Sequence, residues 1–265
     1  MKKGYIDVPE GQMHYRMEGR GDPLVLLHQA PLSSEEFMDM IPVLSRHFLV
    51  IAPDMMGHGN SDDPPSEFAM ADYERCLLRF LDALDIEAPL LFGNHSGGAL
   101  ALSAAVNHPG RVKKLIVSGE ACVSTERVAA FLESLKTKPL SREVPMTEDG
   151  AFLVDAWNRY KALAPSAKPE VRFKPFIIGQ AARIRPYDAH YAVLRWMAEE
   201  NRLPRVQCPT LVFFPDKDIL HSDALVEAAG RYLPGCSTAV IQDAGAMVCF
   251  EKPQEVAELI IDFLA

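Results

Sequence analysis

The chain has 265 residues, 48% of them hydrophobic and 24% charged, proportions that suit a globular protein with a sizeable core and exclude disorder as its main state. A formal net charge of −9 leaves no overall basic field for a phosphate backbone, so nucleic acid is not an expected partner. No stretch approaches the roughly eighteen apolar residues of a membrane span, and the start turns polar before a signal core forms, so the expected address is the cytoplasm, with no membrane partner.

Tyr5 to Val8 and Met13 to Met17 read as a hairpin pair of strands joined through Glu10-Gly11. Pro23 to Leu27 and Phe48 to Ala52 are continuous apolar runs, the pattern of strands buried on both faces. Between them the spacing predicts a helix over 33–45, with Phe37, Ile41 and Leu44 on one side behind Ser33-Ser34-Glu35-Glu36. A second helix over 70–86 aligns Leu77, Leu78, Leu81 and Leu84, and Pro89 to Phe92 follows as a strand. Ala99 to Val106 is apolar nearly all round, as a central helix would be, and Leu115 to Ser118 is another buried strand.

Residues 121–205 then hold helical stretches without a strong strand, after which strands at Thr210 to Phe214 and Thr238 to Ile241 alternate with helices at about 223–232 and from Pro253. The expected fold class is therefore α/β: a mostly parallel sheet with helices on both faces, formed by residues 1–120 and 206–265, with a helical lid inserted at 121–205. On such sheets ligands bind at the carboxyl ends of the strands.

Five cysteines without a Cys-x-x-Cys pair suggest neither a disulfide framework nor a zinc site. The loop after Phe92 reads Gly93-Asn94-His95-Ser96-Gly97-Gly98 and runs directly into the apolar helix. A serine on a sharp strand-to-helix turn, with glycines relieving the crowding and a helix N-terminus beside it, is an arrangement for nucleophilic acyl chemistry. With Leu26-Leu27-His28-Gln29-Ala30-Pro31 and Asp54-Met55-Met56-Gly57-His58-Gly59-Asn60-Ser61, this loop makes nearly the whole chain resemble the α/β-hydrolase family.

That resemblance implies Ser96 as nucleophile, the backbone amides of Ala30 and Gly97 as oxyanion hole, and structural roles for His28 and His58. It implies Asp218, in Pro215-Asp216-Lys217-Asp218, as the acid, with Glu120 at the end of a strand as the alternative acid. Two departures stand near the elbow: Asn94 where the family has a small residue two before the nucleophile, and Gln29 where it usually has glycine. Gln29 could meet substrate or cap its loop. The larger departure is at the base, where the segment Asp243-Ala244-Gly245-Ala246-Met247 puts Ala246 in the catalytic histidine's place. His95 is expected to point away from the nucleophile, and His221 is a remote candidate for a substitute base.

Two readings follow. In the first, the chain is a serine hydrolase of an ester, lactone or activated carbon–carbon bond, disabled by Ala246. In the second, the pocket binds a small molecule without catalysis, or runs chemistry that needs no histidine-activated serine. Dehalogenase and epoxide hydrolase chemistry on this fold uses an aspartate nucleophile, which Ser96 is not. The lid carries fourteen Lys and Arg against ten Asp and Glu in an otherwise acidic chain. Arg183, Arg185, Tyr187, His190, Tyr191, Arg195 and Trp196 could line a pocket for a medium-sized aromatic or carboxylated substrate, and Gln29, His95, Tyr187, Tyr191 and Trp196 are the candidate contacts. No metal or organic cofactor is expected, since neither a dinucleotide fingerprint nor a phosphate loop is present.

Overall fold

Alternation along the buried strands sets the architecture. In the computed structural model, which describes residues 1–119, 125–137, 140, 143–199, 202–219 and 229–265, Leu24 and Leu26 face one side of the sheet and Val25 and Leu27 the other. Both sides are apolar, so both must be covered by helices.

Among the described residues, eight strands form one sheet in the order β1-β2-β4-β3-β5-β6-β7-β8. They are β1 (Lys2–Val8), β2 (Gly11–Gly19), β3 (Pro23–Leu27), β4 (Leu49–Pro53), β5 (Leu90–Asn94), β6 (Lys114–Ser118), β7 (Thr210–Pro215) and β8 (Ser237–Ile241). The pairings of β1 with β2 and of β2 with β4 are antiparallel; every later pairing is parallel, for example Leu26↔Phe92, Phe92↔Ile116 and Ile116↔Leu211. The α/β class and the mostly parallel sheet inferred from periodicity are thus present.

Helices α1 (Ile41–Leu44), α2 (Met70–Ala83) and α3 (Ser96–Asn107) lie among the first six strands. Between β6 and β7 come α4 (Thr125–Leu135), α5 (Ala151–Leu163), α6 (Pro169–Ala181) and α7 (Ala189–Met197); α8 (Val248–Glu251) and α9 (Pro253–Leu264) follow β8. One core joins the Val25 and Leu27 face to Leu77, Phe80 and Leu81 of α2 and to α3; the other joins Leu24, Leu26, Phe92 and Phe213 to Ile41 and Leu44 of α1 and to Val256 and Ile260 of α9. Phe92 and Phe213 are fully buried and stack at 6.0 Å, each ring contributing about 1.5–3 kcal/mol of burial.

One predicted helix is broken. Residues 33–45 form a 3-10 turn at Ser34–Phe37 and the single turn α1, because Pro42 allows only a helix start and the Ser33 side chain caps the first turn by accepting from the Glu35 amide. This break puts Glu36 behind the loop that follows β3, a position an unbroken surface helix would not give it. Most of the helix expected over 223–232 lies outside the described residues, as do Glu120 and His221.

Candidate functional site

At the carboxyl end of β5 the chain reverses into α3, and the strained residue of that turn is His95, with φ 45° and ψ −113°. Such a backbone costs a non-glycine residue on the order of 1–3 kcal/mol and is held only where the surroundings over-determine it. Gly93 and Gly97, two residues before and two after His95, supply the constraint. A Cβ on Gly97 would land on the carbonyl oxygen of Leu27, and one on Gly93 would land on that of Gly97.

The apex of the elbow is therefore His95. This corrects the expectation that Ser96 occupies it: Ser96 is the first residue of α3, and the glycine collar that closes around the turn is centred one residue earlier. Asn94 stops being a departure, because the small residue two before the apex is Gly93. The sequence did carry that signal, as glycines spaced symmetrically about residue 95.

His95 does not point away from the site. Its Nε2 lies 3.1 Å from Asp218 Oδ2, a close ion-pair contact although not a well-aligned hydrogen bond, with the two side chains 9% and 2% exposed. Room for the imidazole comes from Gly119, just past β6, where a Cβ would sit 2.7 Å from the ring. Asp218 follows β7, its loop held by the Asp218 amide on Pro215 O at 3.2 Å and the Lys217 amide on Ala244 O at 2.8 Å. Ala246 is 3% exposed on the same pocket, and its carbonyl accepts from Gln29 Nε2 at 3.1 Å. An imidazole at the elbow thus meets the Asp218 carboxylate directly, and the loop that the family likeness expects to carry a histidine presents only the methyl group of Ala246.

The expected oxyanion hole is also altered. The Ala30 amide donates to Ser96 Oγ at 2.7 Å, so that amide is engaged by the serine hydroxyl. Having accepted there, the hydroxyl retains its own proton to donate into the pocket. With His95 at the apex, the first helical amide beside the pocket is that of Ser96 and not of Gly97; it stands at the positive end of α3, where amides lack intrahelical partners.

Gln29 caps its loop: besides Ala246, its side-chain amide reaches Glu36 Oε1 at 3.1 Å and its backbone amide reaches Glu36 Oε2 at 2.8 Å. His28 and His58 hold the strand ends. His28 Nε2 accepts from the Met55 amide at 3.0 Å, and burial depresses its pKa; burial pulls His58 down to about 3.

The pocket above these groups measures about 440 Å³. Its walls are mostly apolar, with Leu163, Val193, Leu194 and Met247 around Gln29, His95, Ser96, Arg159, Tyr160 and Arg183. Tyr187, Tyr191 and Trp196 do not line it. The Tyr191 hydroxyl donates to Glu143 at 2.8 Å, and Trp196 lines a separate cleft beside Ser103 and Arg202. Arg185 is spent on Asp63 and the carbonyl of Gly59, and Arg195 on Glu67, so of those three arginines only Arg183 reaches the pocket. Among the described residues no group of His, Cys, Asp and Glu is arranged to hold a metal ion, and no helix is long and apolar enough to cross a membrane.

A family model for the alpha/beta hydrolase fold matches residues 22–134. Across 97% of this chain and 93% of its relative, the sequence is 31% identical to haloalkane dehalogenase 2 of Mycobacterium bovis. The chain belongs to the α/β-hydrolase family. Another hydrolase of the family, 2-hydroxy-6-oxo-6-(2'-aminophenyl)hexa-2,4-dienoic acid hydrolase of Metapseudomonas resinovorans, is 26% identical over 98% of this chain and 90% of its own. In fold the chain is similar to a thermophilic esterase from Thermogutta terrifontis, with a TM-score of 0.78 and 24% identity over 100% of this chain and 98% of that one. The sequence relatives thus include a dienoic acid hydrolase and a dehalogenase, and an esterase shares the fold.

Proposed function

We propose that this α/β-hydrolase is a hydrolase of a small ester, lactone or activated carbon–carbon bond in which His95, paired with Asp218, acts as general base at the elbow. The contact between His95 Nε2 and Asp218 carries the reading. With Nε2 turned to the carboxylate, Nδ1 is the basic atom, and Asp218 stabilises the imidazolium that forms.

A water held between Nδ1 and the substrate carbonyl loses its proton to His95 as its oxygen bonds to carbon. Negative charge then builds on the carbonyl oxygen, which the Ser96 amide and hydroxyl can hold, the hydroxyl itself polarised by the Ala30 amide. Collapse breaks the bond to the leaving alkoxide or carbanion, which takes the proton from Nδ1. His95 is thereby restored, and no acyl-enzyme is needed. The inserted helices would act as lid over the pocket, whose apolar walls suit a medium-sized acyl group.

The test is a panel of activated esters, lactones and vinylogous diketones assayed with the unmodified chain, His95→Gln and Ser96→Ala, alongside a serine-directed fluorophosphonate. Turnover that falls about 10²–10⁴-fold in His95→Gln, with no probe label on Ser96, supports the dyad. Turnover abolished only by Ser96→Ala, with Ser96 labelled, restores the serine reading and overturns this one. Tight ligand binding without turnover, unchanged by His95→Gln, would return the pocket to a binding role.

A further inference from the structure

The carboxylate of Glu36 is 1% exposed, and its hydrogen-bond partners are all neutral. Oε2 accepts from the Gln29 amide at 2.8 Å; Oε1 accepts from Gln29 Nε2 at 3.1 Å and from Asn94 Nδ2 at 2.6 Å. Asn94 is the last residue of β5 and precedes His95, while Gln29 precedes Ala30 and reaches on to Ala246. Glu36 therefore ties the loop after β3 to the elbow, and through Gln29 to the loop that carries Ala246.

An anion buried without a cation costs more than the neutral amide donors return, so such groups are retained where something else uses them. His95 lies within its electrostatic reach and can become a cation. We infer that Glu36 is a positioning residue for the proposed chemistry: it locks the elbow against the loop after β3 and acts as a second anion behind His95 when the ring takes up a proton. This rests on His95 being the base. Burial pushes the Glu36 carboxyl above its usual range, and the Asn94 and Gln29 donors pull it back toward the charged form.

Other groups face the same region. Cys249 and Tyr160 lie near Glu36, and burial raises the pKa of both, so each is neutral at ordinary pH. Asp218 faces His95, and Arg159, Arg183, Asp188 and His190 border the pocket from the inserted helices. All of these remain in a Glu36 variant.

The experiment is an NMR titration of the His95 ring, which needs no substrate, in the unmodified protein, Glu36→Gln, Glu36→Asp and Asp218→Asn. Glu36→Gln is expected to lower the His95 titration midpoint by about one pH unit, and Glu36→Asp, which keeps the charge, to leave it nearly unchanged. A folded Glu36→Gln protein with an unmoved midpoint, or equal shifts in Gln and Asp, overturns the inference. Should Glu36→Gln not fold, an infrared titration of the unmodified protein against Glu36→Asp decides: Glu36 ionised where His95 titrates supports the inference, and Glu36 protonated there overturns it. If instead Asp218→Asn leaves the midpoint in place, the dyad fails as well; a shift with Asp218→Asn but none with Glu36→Gln removes only the role of Glu36.

Discussion

Replacing Gly97 by alanine puts a methyl group onto the carbonyl of Leu27, inside a turn with backbone on both sides and no flexible side chain to give way. The neighbouring Gly98 is the internal comparison. Its Cβ would meet the nearest atom, Gly93 O, at 3.0 Å, a crowded contact relieved by a few tenths of an ångström. Both residues lie in α3, so alanine brings each the same helix-propensity gain of about 1 kcal/mol. Against that gain, forced overpacking costs about 1–3 kcal/mol, and Gly97 stands at the upper end because two backbone segments would have to separate. Gly97→Ala is expected to lose about 2 kcal/mol or more net and Gly98→Ala to come out near zero. Urea unfolding followed by the fluorescence of Trp157 and Trp196 reads both. Equal costs, or a larger one at Gly98, would refute the placement of the apex at residue 95, because an elbow centred on Ser96 would close on Asn94 and Gly98.

Further expectations concern the same region and its supports. Ala246→His is expected to add no serine-dependent turnover, since the apex of the elbow is His95 and not a serine, and His95 already meets Asp218; a gain in ester hydrolysis that Ser96→Ala removes would contradict this. His58, held near pKa 3 in the folded state, binds a proton more readily when unfolded, so stability falls as pH drops from about 6.5 toward 3, by about 1.4 kcal/mol per pH unit from this group. Urea melts of the unmodified chain and His58→Gln should differ by that slope between pH 6 and 4, and parallel curves would sink the assignment. Cys76, buried and pushed up to about 12, and Cys249, buried and raised well above its ordinary value, should resist iodoacetamide at pH 8 in the folded protein, while half-buried Cys208 and Cys236 react before them; mass mapping showing label on Cys249 before Cys208 would contradict the packing.

The strands were legible because β3, β4, β5 and β7 are continuous apolar runs, which only a sheet covered on both faces explains, and because the helices between them carry their apolar residues at helical spacing. The elbow is legible as a motif in two possible registers. Gly93-Asn94-His95-Ser96-Gly97-Gly98 contains three glycines, and its hydroxyl points to Ser96, while the symmetric spacing of Gly93 and Gly97 points to residue 95; what decides between them is the approach of Gly97 to the carbonyl of Leu27, 70 positions earlier in the chain. The direction of His95 follows from the apex and is decided with it. Glu36 reads as a helix-start carboxylate; Pro42 announces a break in the helix, but no local pattern shows that the break turns Glu36 inward. Tyr187, Tyr191 and Trp196 have the composition of a pocket lining, but the face a helix buries depends on what packs against it, and of Arg183, Arg185 and Arg195 only Arg183 lies on the pocket.

A double-mutant cycle on His95 and Asp218 tests the central claim most directly, using whichever substrate of the panel is turned over. If the two side chains act as one base, His95→Gln costs about 10²–10⁴-fold in kcat/KM and adding Asp218→Asn costs little more, so the double variant is far from the product of the two single losses. Losses that multiply, or a His95→Gln protein with its turnover intact, would contradict the account.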